Sequence, residues 1–100
     1  MDAQLTRRHL LLYDYVTENV LERRAPHREA HLALVREWMA AGKLLMAGAL
    51  GDPPHGGALA FAVEDPAEVE RFARADPYVE SGLVTAWRVE PWNTVSWPSG

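Results

Sequence analysis

Residues 58–75 read ALAFAVEDPAEVERFARA, a strand pattern that runs directly into a helix pattern. Residues 58–63 alternate small and large apolar side chains, which predicts a strand with one buried face. Residues 65–68, Asp-Pro-Ala-Glu, place an N-cap acid, a proline in the first turn and a glutamate at the third helical position. This stretch therefore predicts a strand followed by a helix over residues 66–75.

The segments on either side of this stretch predict the remaining elements. Strands are expected over residues 8–16, 43–51 and 85–90, a helix over 27–41, and a turn or single helical turn over 76–82. Residues 17–26 are expected to form a polar connection, because Pro26 suits the first turn of a helix. The resulting βαββαβ order predicts an α+β, ferredoxin-like sandwich in which two helices cover one face of an antiparallel sheet.

Length and composition favour one small domain and exclude several classes of chemistry. The chain has 100 residues and a formal net charge of −4, and it is expected to form a single domain with its core over about 8–92 and a tail over 93–100. Without cysteine it can form no disulfide, thiolate nucleophile or cysteine-bound zinc site. No sustained basic block favours nucleic acid, no apolar run reaches the roughly 20 residues of a membrane span, and no signal peptide is evident. A cytoplasmic protein is expected.

One face of the predicted sheet carries no helix, which bears on assembly. The chain has four tryptophans, of which Trp92 and Trp97 are expected beyond the last strand, where a single domain has little left to cover them. Exposed apolar surface of this kind usually marks an interface. The sequence therefore predicts a homodimer packed sheet to sheet, with the C-terminal segment at the seam.

His31 interrupts the apolar side of the predicted first helix. At 100° per residue it falls between the directions of Val35 and Trp38, opposite the charged residues. A buried imidazole needs partners for its ring nitrogens, or it lines a cavity that a ligand fills. A position about one turn from the amino end of the helix favours the neutral ring, which can accept a proton. His31 is thus a candidate for proton transfer, with a satisfied core histidine as the alternative.

Two aspartates are candidates for the carboxylate that would orient this imidazole. Asp76 opens an Asp-Pro-Tyr segment after the second helix, a position that equally suits a turn-capping acid. Asp14 interrupts an otherwise apolar row of the first strand, where an unpartnered acid is costly, although an edge strand would leave it solvated. Both acids stay open as catalytic partners of His31.

Three further residues are candidates for substrate binding. Tyr13, which shares a strand face with Tyr15, and Tyr78 can place phenolic hydroxyls near the imidazole, although packing would explain both. Arg28, with the arginine pair at 23–24, can attract an anionic substrate, although solvated surface charge is the commoner role of such residues.

Metal and covalent chemistry find little support in the sequence. His27 and His31 are four residues apart, a spacing that can hold a metal on a helix, but no further ligands stand in a recognisable arrangement. Neither a phosphate-binding glycine loop nor a Gly-x-Ser-x-Gly nucleophile is present. No metal and no cofactor are therefore expected.

Several short segments, in order along the chain, carry a family resemblance. They are residues 12–15 (LYDY), 22–26 (ERRAP), 28–32 (REAHL), 42–45 (GKLL), 47–50 (AGAL), 56–57 (GG), 76–79 (DPYV), 82–84 (GLV) and 91–92 (PW). The chain resembles the YCII-related (YciI-like) domain family, within the dimeric ferredoxin-like α+β barrel group. The resemblance implies a dimer and an active-site pair, in a pocket beside the sheet, of an aspartate and the histidine of the Arg-x-x-His-Leu segment, here His31. Many members read Gly-Pro where this chain has Gly48-Ala49, which leaves the shape of the pocket open.

Two classes of function are consistent with these residues. The first is a small cofactor-independent enzyme in which His31 transfers protons and Asp76, or Asp14, orients it, acting as an isomerase, lyase or hydrolase on a small organic acid or ring compound. The second is a non-catalytic module that binds a small metabolite or serves in interactions. The resemblance favours the enzyme, because the family includes removal of halide from a chlorinated ring and related barrels include muconolactone isomerases. Small monooxygenases among those barrels make a cofactor-free monooxygenase a third hypothesis.

Overall fold

The computed structural model describes residues 2–98, in which a four-stranded sheet packs with three helices. The elements are β1 (Gln4–Tyr15), α1 (Val20–Ala40), β2 (Leu44–Leu50), β3 (Gly56–Phe61), α2 (Pro66–Ala75), α3 (Pro77–Glu80) and β4 (Val84–Ser96). The strands lie in the order β2-β3-β1-β4, and neighbouring strands are antiparallel. This topology confirms the predicted α+β, ferredoxin-like fold.

The two faces of the sheet differ in burial. Along β1, Leu11 and Tyr13 are buried beneath the helices, whereas Leu10 and Leu12 on the opposite face are half-buried and Asp14 there is exposed. We call the face beneath the helices the inner face and the other the outer face. Buried residues of α1 and α2 complete the core on the inner face, so the two long helices share one side of the sheet.

Helix α2 has the predicted bounds, Pro66–Ala75. The carboxylate of Asp65 accepts a 2.9 Å hydrogen bond from the backbone N–H of Ala67, the N-cap contact that the sequence pattern indicates. Glu68 accepts a 2.7 Å bond from the Lys43 ammonium, which stands just before β2. This glutamate therefore ties α2 to the start of β2.

Helix α1 begins at Val20 rather than at residue 27, so most of the polar connection predicted over 17–26 is helical. Pro26, expected in the first turn, lies inside the helix. A proline there removes one backbone hydrogen bond, in this case to the carbonyl of Glu22. Because Glu22 and Pro26 are both exposed, water can bond that carbonyl and the helix continues through the proline.

The earlier start changes the electrostatics around His31. His31 is the twelfth residue of α1, about three turns from the amino end of the helix. The field of a helix terminus acts mainly within the first turn. The prediction that the helix dipole favours a neutral imidazole was therefore wrong.

Strands β1 and β4 run further than predicted and pair with each other beyond the rest of the sheet. β1 starts at Gln4 and β4 ends at Ser96, so that Arg8 pairs with Trp92. β4 continues through Pro91, because β4 is an edge strand and an edge strand tolerates proline. Trp92 therefore lies within β4, not beyond it as predicted, and part of the expected tail is strand.

The other bounds differ by small amounts. β3 begins at Gly56, two residues before its predicted start, although the paired glycines favour a loop. A Cβ at Gly56 would collide with the carbonyl oxygen of Tyr13, so glycine allows β3 to approach β1 at this point. β2 lies within its predicted range, and α3 is the predicted single helical turn.

One end of the inner face holds three aromatic side chains, Trp38, Phe61 and Phe72, which we call the apolar cluster. Each pair meets edge to face, with ring centroids 5.2 to 5.9 Å apart. Phe61 and Phe72 are fully buried. This cluster joins α1, α2 and β3 and closes the core at the end away from His31.

Candidate functional site

The buried carboxylate of Asp76 organises the other end of the inner face. Its Oδ1 accepts the backbone N–H of Tyr78 at 3.0 Å and so caps α3, and its Oδ2 accepts the Tyr13 hydroxyl at 2.7 Å. Nδ1 of His31 lies 2.8 and 3.0 Å from the two oxygens. We call Tyr13, His31, Asp76 and Tyr78 the polar cluster. The capping role and the contact with His31, which the sequence left as alternatives for Asp76, coexist in one side chain.

These contacts determine the tautomer of a neutral His31. An ionised carboxylate can only accept hydrogen bonds, so the proton between Nδ1 and Asp76 belongs to the imidazole. Nε2 of the neutral ring is then unprotonated and can accept a proton. The His31 side chain is 11% exposed and lines a pocket, which gives the ring access to a ligand.

Tyr13 acts on Asp76 as a hydrogen-bond donor. Burial, and next the charge of Asp76, raise the pKa of Tyr13 well above its usual value. The phenol therefore stays neutral and keeps its proton for the carboxylate. Tyr13 also lines the pocket, as expected for a substrate-binding residue, but its hydroxyl is directed to Asp76.

Tyr78 lies face to face with the imidazole. The ring centroids of Tyr78 and His31 are 3.8 Å apart and their planes differ by 5°. The hydroxyl of Tyr78 is buried, and within residues 2–98 it has no hydrogen-bond partner. The stack restricts rotation of His31, and a buried hydroxyl without a partner is uncommon enough to require an explanation.

A pocket of about 160 Å³ lies between α1 and the inner face of the sheet. Its lining residues on α1 follow one stripe of the helix, and the rest come from the sheet and α3. They are Arg24, Arg28, His31, Leu32 and Val35 on α1; Tyr13, Tyr15, Ala47, Gly48, Ala49, Gly57 and Leu59 on the sheet; and Tyr78 on α3. The pocket thus combines an aliphatic wall with phenolic and cationic groups.

Asp14 does not reach this site. It is exposed on the outer face, paired with Gly56 on one side and Ala86 on the other, so the sheet separates it from His31. Strand alternation explains its position, because Tyr13 and Tyr15 point inward and the residue between them points outward. As the alternative partner of His31, Asp14 is excluded.

The other candidate residues divide between the pocket and its surroundings. Arg28 lines the pocket, whereas His27 is half-buried beside a separate hollow next to α3. Across residues 2–98, no group of three or more His, Asp or Glu side chains is placed to hold a metal ion. Within that same part of the chain, no helix combines the length and the apolar character needed to cross a membrane. A cytoplasmic location stays a prediction.

Tyr15 and Arg24 line the pocket although sequence reasoning did not select them as site residues. Strand alternation places Tyr15 on the same face as Tyr13, and Arg24 belongs to the arginine pair that can attract an anion. Arg24, Arg28 and His31 share one helical stripe, but this becomes visible only when the helix begins before Pro26. The misplaced helix start therefore hid the reason to prefer Arg24 over Arg23.

The family model of the YCII-related domain matches residues 9–93. This chain belongs to the YCII-related domain family. The matched range includes all the residues that line the pocket. The family that the short sequence segments indicate is thereby confirmed.

Solved structures similar to this chain include an enzyme. It is 5-chloro-2-hydroxyhydroquinone dehydrochlorinase (TftG) from Burkholderia phenoliruptrix AC1100, in complex with 2,5-dihydroxybenzoquinone, with 28% identity and a TM-score of 0.67 over 84% of this chain and 92% of that chain. Protein SO0527 from Shewanella oneidensis shares the fold at 14% identity, with a TM-score of 0.57 over 94% and 98% of the two chains. A dimeric ferredoxin-like protein from an uncultured marine organism is 12% identical, with a TM-score of 0.43 over 95% and 98%. No curated protein matches significantly.

Proposed function

We propose that this protein is a small-molecule enzyme that works without a cofactor and uses His31 for general acid–base catalysis. The observation that carries this proposal is the hydrogen bond between His31 Nδ1 and the buried carboxylate of Asp76, on a ring that also lines a pocket. A carboxylate in this position orients the imidazole and stabilises the imidazolium that forms when Nε2 takes a proton. A core histidine without such a role would be expected to have both ring nitrogens satisfied.

The proposed reaction begins with proton transfer from a ring hydroxyl or ring carbon of the substrate to Nε2 of His31. The electron pair stays on the substrate as an enolate or phenolate. In an isomerisation, the imidazolium returns the proton to a different substrate atom. In an elimination, the electron pair expels a leaving anion, and the imidazolium later releases its proton to solvent. Tyr13, the backbone N–H of Tyr78 and His31 all donate to the Asp76 carboxylate, which holds it in place beside the imidazole.

The proposed substrate is a single oxygenated six-membered ring. An apolar cavity of about 150 Å³ can hold one benzene molecule, and the pocket here has about 160 Å³. Leu32, Val35 and Leu59 supply an aliphatic wall that fits the face of such a ring. The 28% identical dehydrochlorinase, solved with 2,5-dihydroxybenzoquinone, supports a ring of this size.

Replacing His31 with asparagine tests the proposal, and His27→Asn, four residues earlier on the same helix, is the matched control. Wild type and both variants are assayed by absorbance against a panel of hydroxylated and chlorinated single-ring compounds, including 5-chloro-2-hydroxyhydroquinone. His31→Asn is expected to lose about 10²–10⁴-fold in turnover. It should still bind 2,5-dihydroxybenzoquinone, and His27→Asn should keep wild-type turnover.

Two outcomes would contradict the proposed enzymatic function. Equal turnover by His31→Asn and wild type would remove His31 from the chemistry. A wild-type protein that binds 2,5-dihydroxybenzoquinone and converts no compound of the panel would instead be the non-catalytic binding module.

We also propose that the outer face forms a homodimer interface. Met46 and Trp92 lie on that face and are 63% and 43% exposed, and Trp97, just after β4, is 65% exposed. Size-exclusion chromatography with light scattering should give twice the chain mass of 11.2 kDa. Met46→Lys should shift the protein toward monomer, since this side chain is mostly exposed in the protomer. A wild-type monomer at micromolar concentration would contradict the interface.

A further inference from the structure

Hydrogen-bond donors dominate the polar lining of the pocket. The buried hydroxyl of Tyr78 has no partner within residues 2–98. Arg24 and Arg28 line the pocket, and the ion pairs of the described chain are formed by other residues. Buried polar groups in native proteins are almost always paired. Arg24 is half-buried and Arg28 is exposed, so the rule applies strictly to the Tyr78 hydroxyl, and together these three donors favour a ligand that brings acceptor atoms.

Tyr15 brings a second phenol to the same place. It is 8% exposed, and its hydroxyl lies 3.1 Å from the point where a Cβ at Gly57 would stand, on the pocket wall. Burial is the largest effect on Tyr15 and raises its pKa to about 12, whereas the charges of Arg24 and Arg28 act in the opposite direction. The phenol and both guanidinium groups therefore line the same pocket.

The charges around the pocket favour an anion. Asp76 contributes one negative charge, and that carboxylate is already occupied by three donors. Arg24 and Arg28 contribute two positive charges at the pocket itself. With His31 neutral, the site carries a net positive charge that an anionic ligand would neutralise.

We propose that Tyr15, Tyr78, Arg24 and Arg28 form an oxyanion subsite beside His31, and that the natural ligand is a small ring that carries an anionic oxygen, as a carboxylate or as a ring oxyanion. This subsite deepens the proposed function and rests on it, because an enolate formed when His31 takes a proton would bind the same donors. Tyr78 connects the two roles. Its ring stacks on the imidazole, and in this proposal its unpartnered hydroxyl is the one that donates to the ligand.

Benzoate and benzamide test the subsite, because they share a shape and differ in charge. Their affinities are measured by NMR titration of backbone amides at about pH 7. Benzoate should bind about tenfold or more tightly than benzamide, as expected for charge-assisted hydrogen bonds. 4-Nitrophenolate at about pH 8.5 provides the second arm. If it binds as tightly as benzoate, the subsite accepts ring oxyanions, and if it binds tenfold more weakly, the ligand is a carboxylate.

Two variants test which residues cause the preference for benzoate over benzamide. Arg28→Gln should reduce the benzoate preference about tenfold, whereas Arg23→Gln, an exposed arginine outside this pocket, should leave it unchanged. Tyr78→Phe keeps the stacked ring and removes only the unpartnered hydroxyl. It should weaken benzoate binding about tenfold without lowering the unfolding temperature.

These measurements distinguish failure of the proposed subsite from failure of the proposed catalytic role of His31. His31→Asn should retain the benzoate preference, because the probe needs no proton transfer. Equal affinities of the wild-type protein for benzoate and benzamide would overturn the subsite even if His31→Asn abolishes turnover. Benzoate-induced shifts confined to amides far from the pocket would overturn it as well.

Discussion

The inner face of the sheet carries two aromatic clusters of opposite chemistry. The apolar cluster packs hydrocarbon edges against faces, whereas the polar cluster surrounds a buried carboxylate with a phenol, an imidazole and a backbone amide. Helix α1 contributes to both, since Trp38 and His31 stand seven residues, or two turns, apart on one buried side. The same helix face therefore serves packing at one end and the site at the other.

The two clusters are expected to differ in what the loss of a side chain costs. Removing a ring from the apolar cluster leaves a cavity and loses dispersion contacts. Removing a member of the polar cluster leaves a buried donor or acceptor without its partner. Because functional sites commonly accept polar burial that a plain core would avoid, we expect most of the folding free energy to reside at the apolar end.

Phe72→Ala should give the largest effect. Phe72 is fully buried and meets Trp38 and Phe61 edge to face. Its truncation should lower the free energy of unfolding by about 3–5 kcal/mol, measured by urea denaturation. The folded fraction should still bind 2,5-dihydroxybenzoquinone, because the pocket does not use this ring. A loss below about 1 kcal/mol would mean that stability is not concentrated at the apolar end.

Alkaline pH should selectively destabilise the end of the inner face that holds the polar cluster and Tyr15. Burial raises the pKa of Tyr15 from 10.0 to about 12, and that of Tyr13 further. A raised pKa means that the folded state favours the neutral phenol over the phenolate. The free energy of unfolding is therefore unaffected by these tyrosines below about pH 10 and falls as the pH rises toward 12. For Tyr15 alone the loss corresponds to about 3 kcal/mol.

Denaturation curves recorded between about pH 8 and pH 12 check this expectation. Tyr15→Phe should lose less stability than wild type over that interval, because it has no phenol to ionise. The apolar cluster contains no group that titrates there, so Phe72→Leu should lose as much as wild type. Identical pH profiles for Tyr15→Phe and wild type would show that ionisation of this residue does not drive the loss.

Sequence reasoning succeeded where local signals decide the structure. The N-cap acid and first-turn proline of α2 act within four residues, and the predicted bounds were confirmed. Pro26 misled for the opposite reason, since a proline inside a helix is tolerated where its missing bond faces water, and that depends on tertiary exposure. The length of β4 beyond Pro91 is likewise a tertiary property, because only the assembled sheet shows that β4 is an edge strand.

The features of the candidate site also differ in whether a local sequence pattern or a tertiary contact determines them. Helical periodicity was sufficient to predict that His31 is buried. Its hydrogen-bond partner Asp76 lies 45 residues away, and no local pattern shows that the two side chains meet. Strand alternation, applied to the inward tyrosines that flank Asp14, would have excluded that acid. The stack of Tyr78 on His31 depends on how α3 docks against α1, which the sequence does not show.

Asp76→Asn should have the smallest of these effects, about 2 kcal/mol. The amide keeps the shape of the side chain and an oxygen that can still cap the backbone N–H of Tyr78. Its NH₂ group cannot accept the hydrogen bond that the Tyr13 hydroxyl donates to the carboxylate. Relief from burying a charge offsets part of the loss. Asp65→Asn, an exposed N-cap of α2 with no contact to an imidazole, should cost a few tenths of a kcal/mol.

The nitrogen chemical shifts of the His31 ring distinguish what Asp76 does from what a cap alone would do. In the neutral ring of the wild type the proton should reside on Nδ1, and Asp76→Asn should mix the two tautomers, because an amide can either donate or accept. If stability falls in Asp76→Asn while the proton stays on Nδ1, the carboxylate only caps α3. The polar cluster would then be a second packing cluster, and its contrast with the apolar cluster would no longer mark a site.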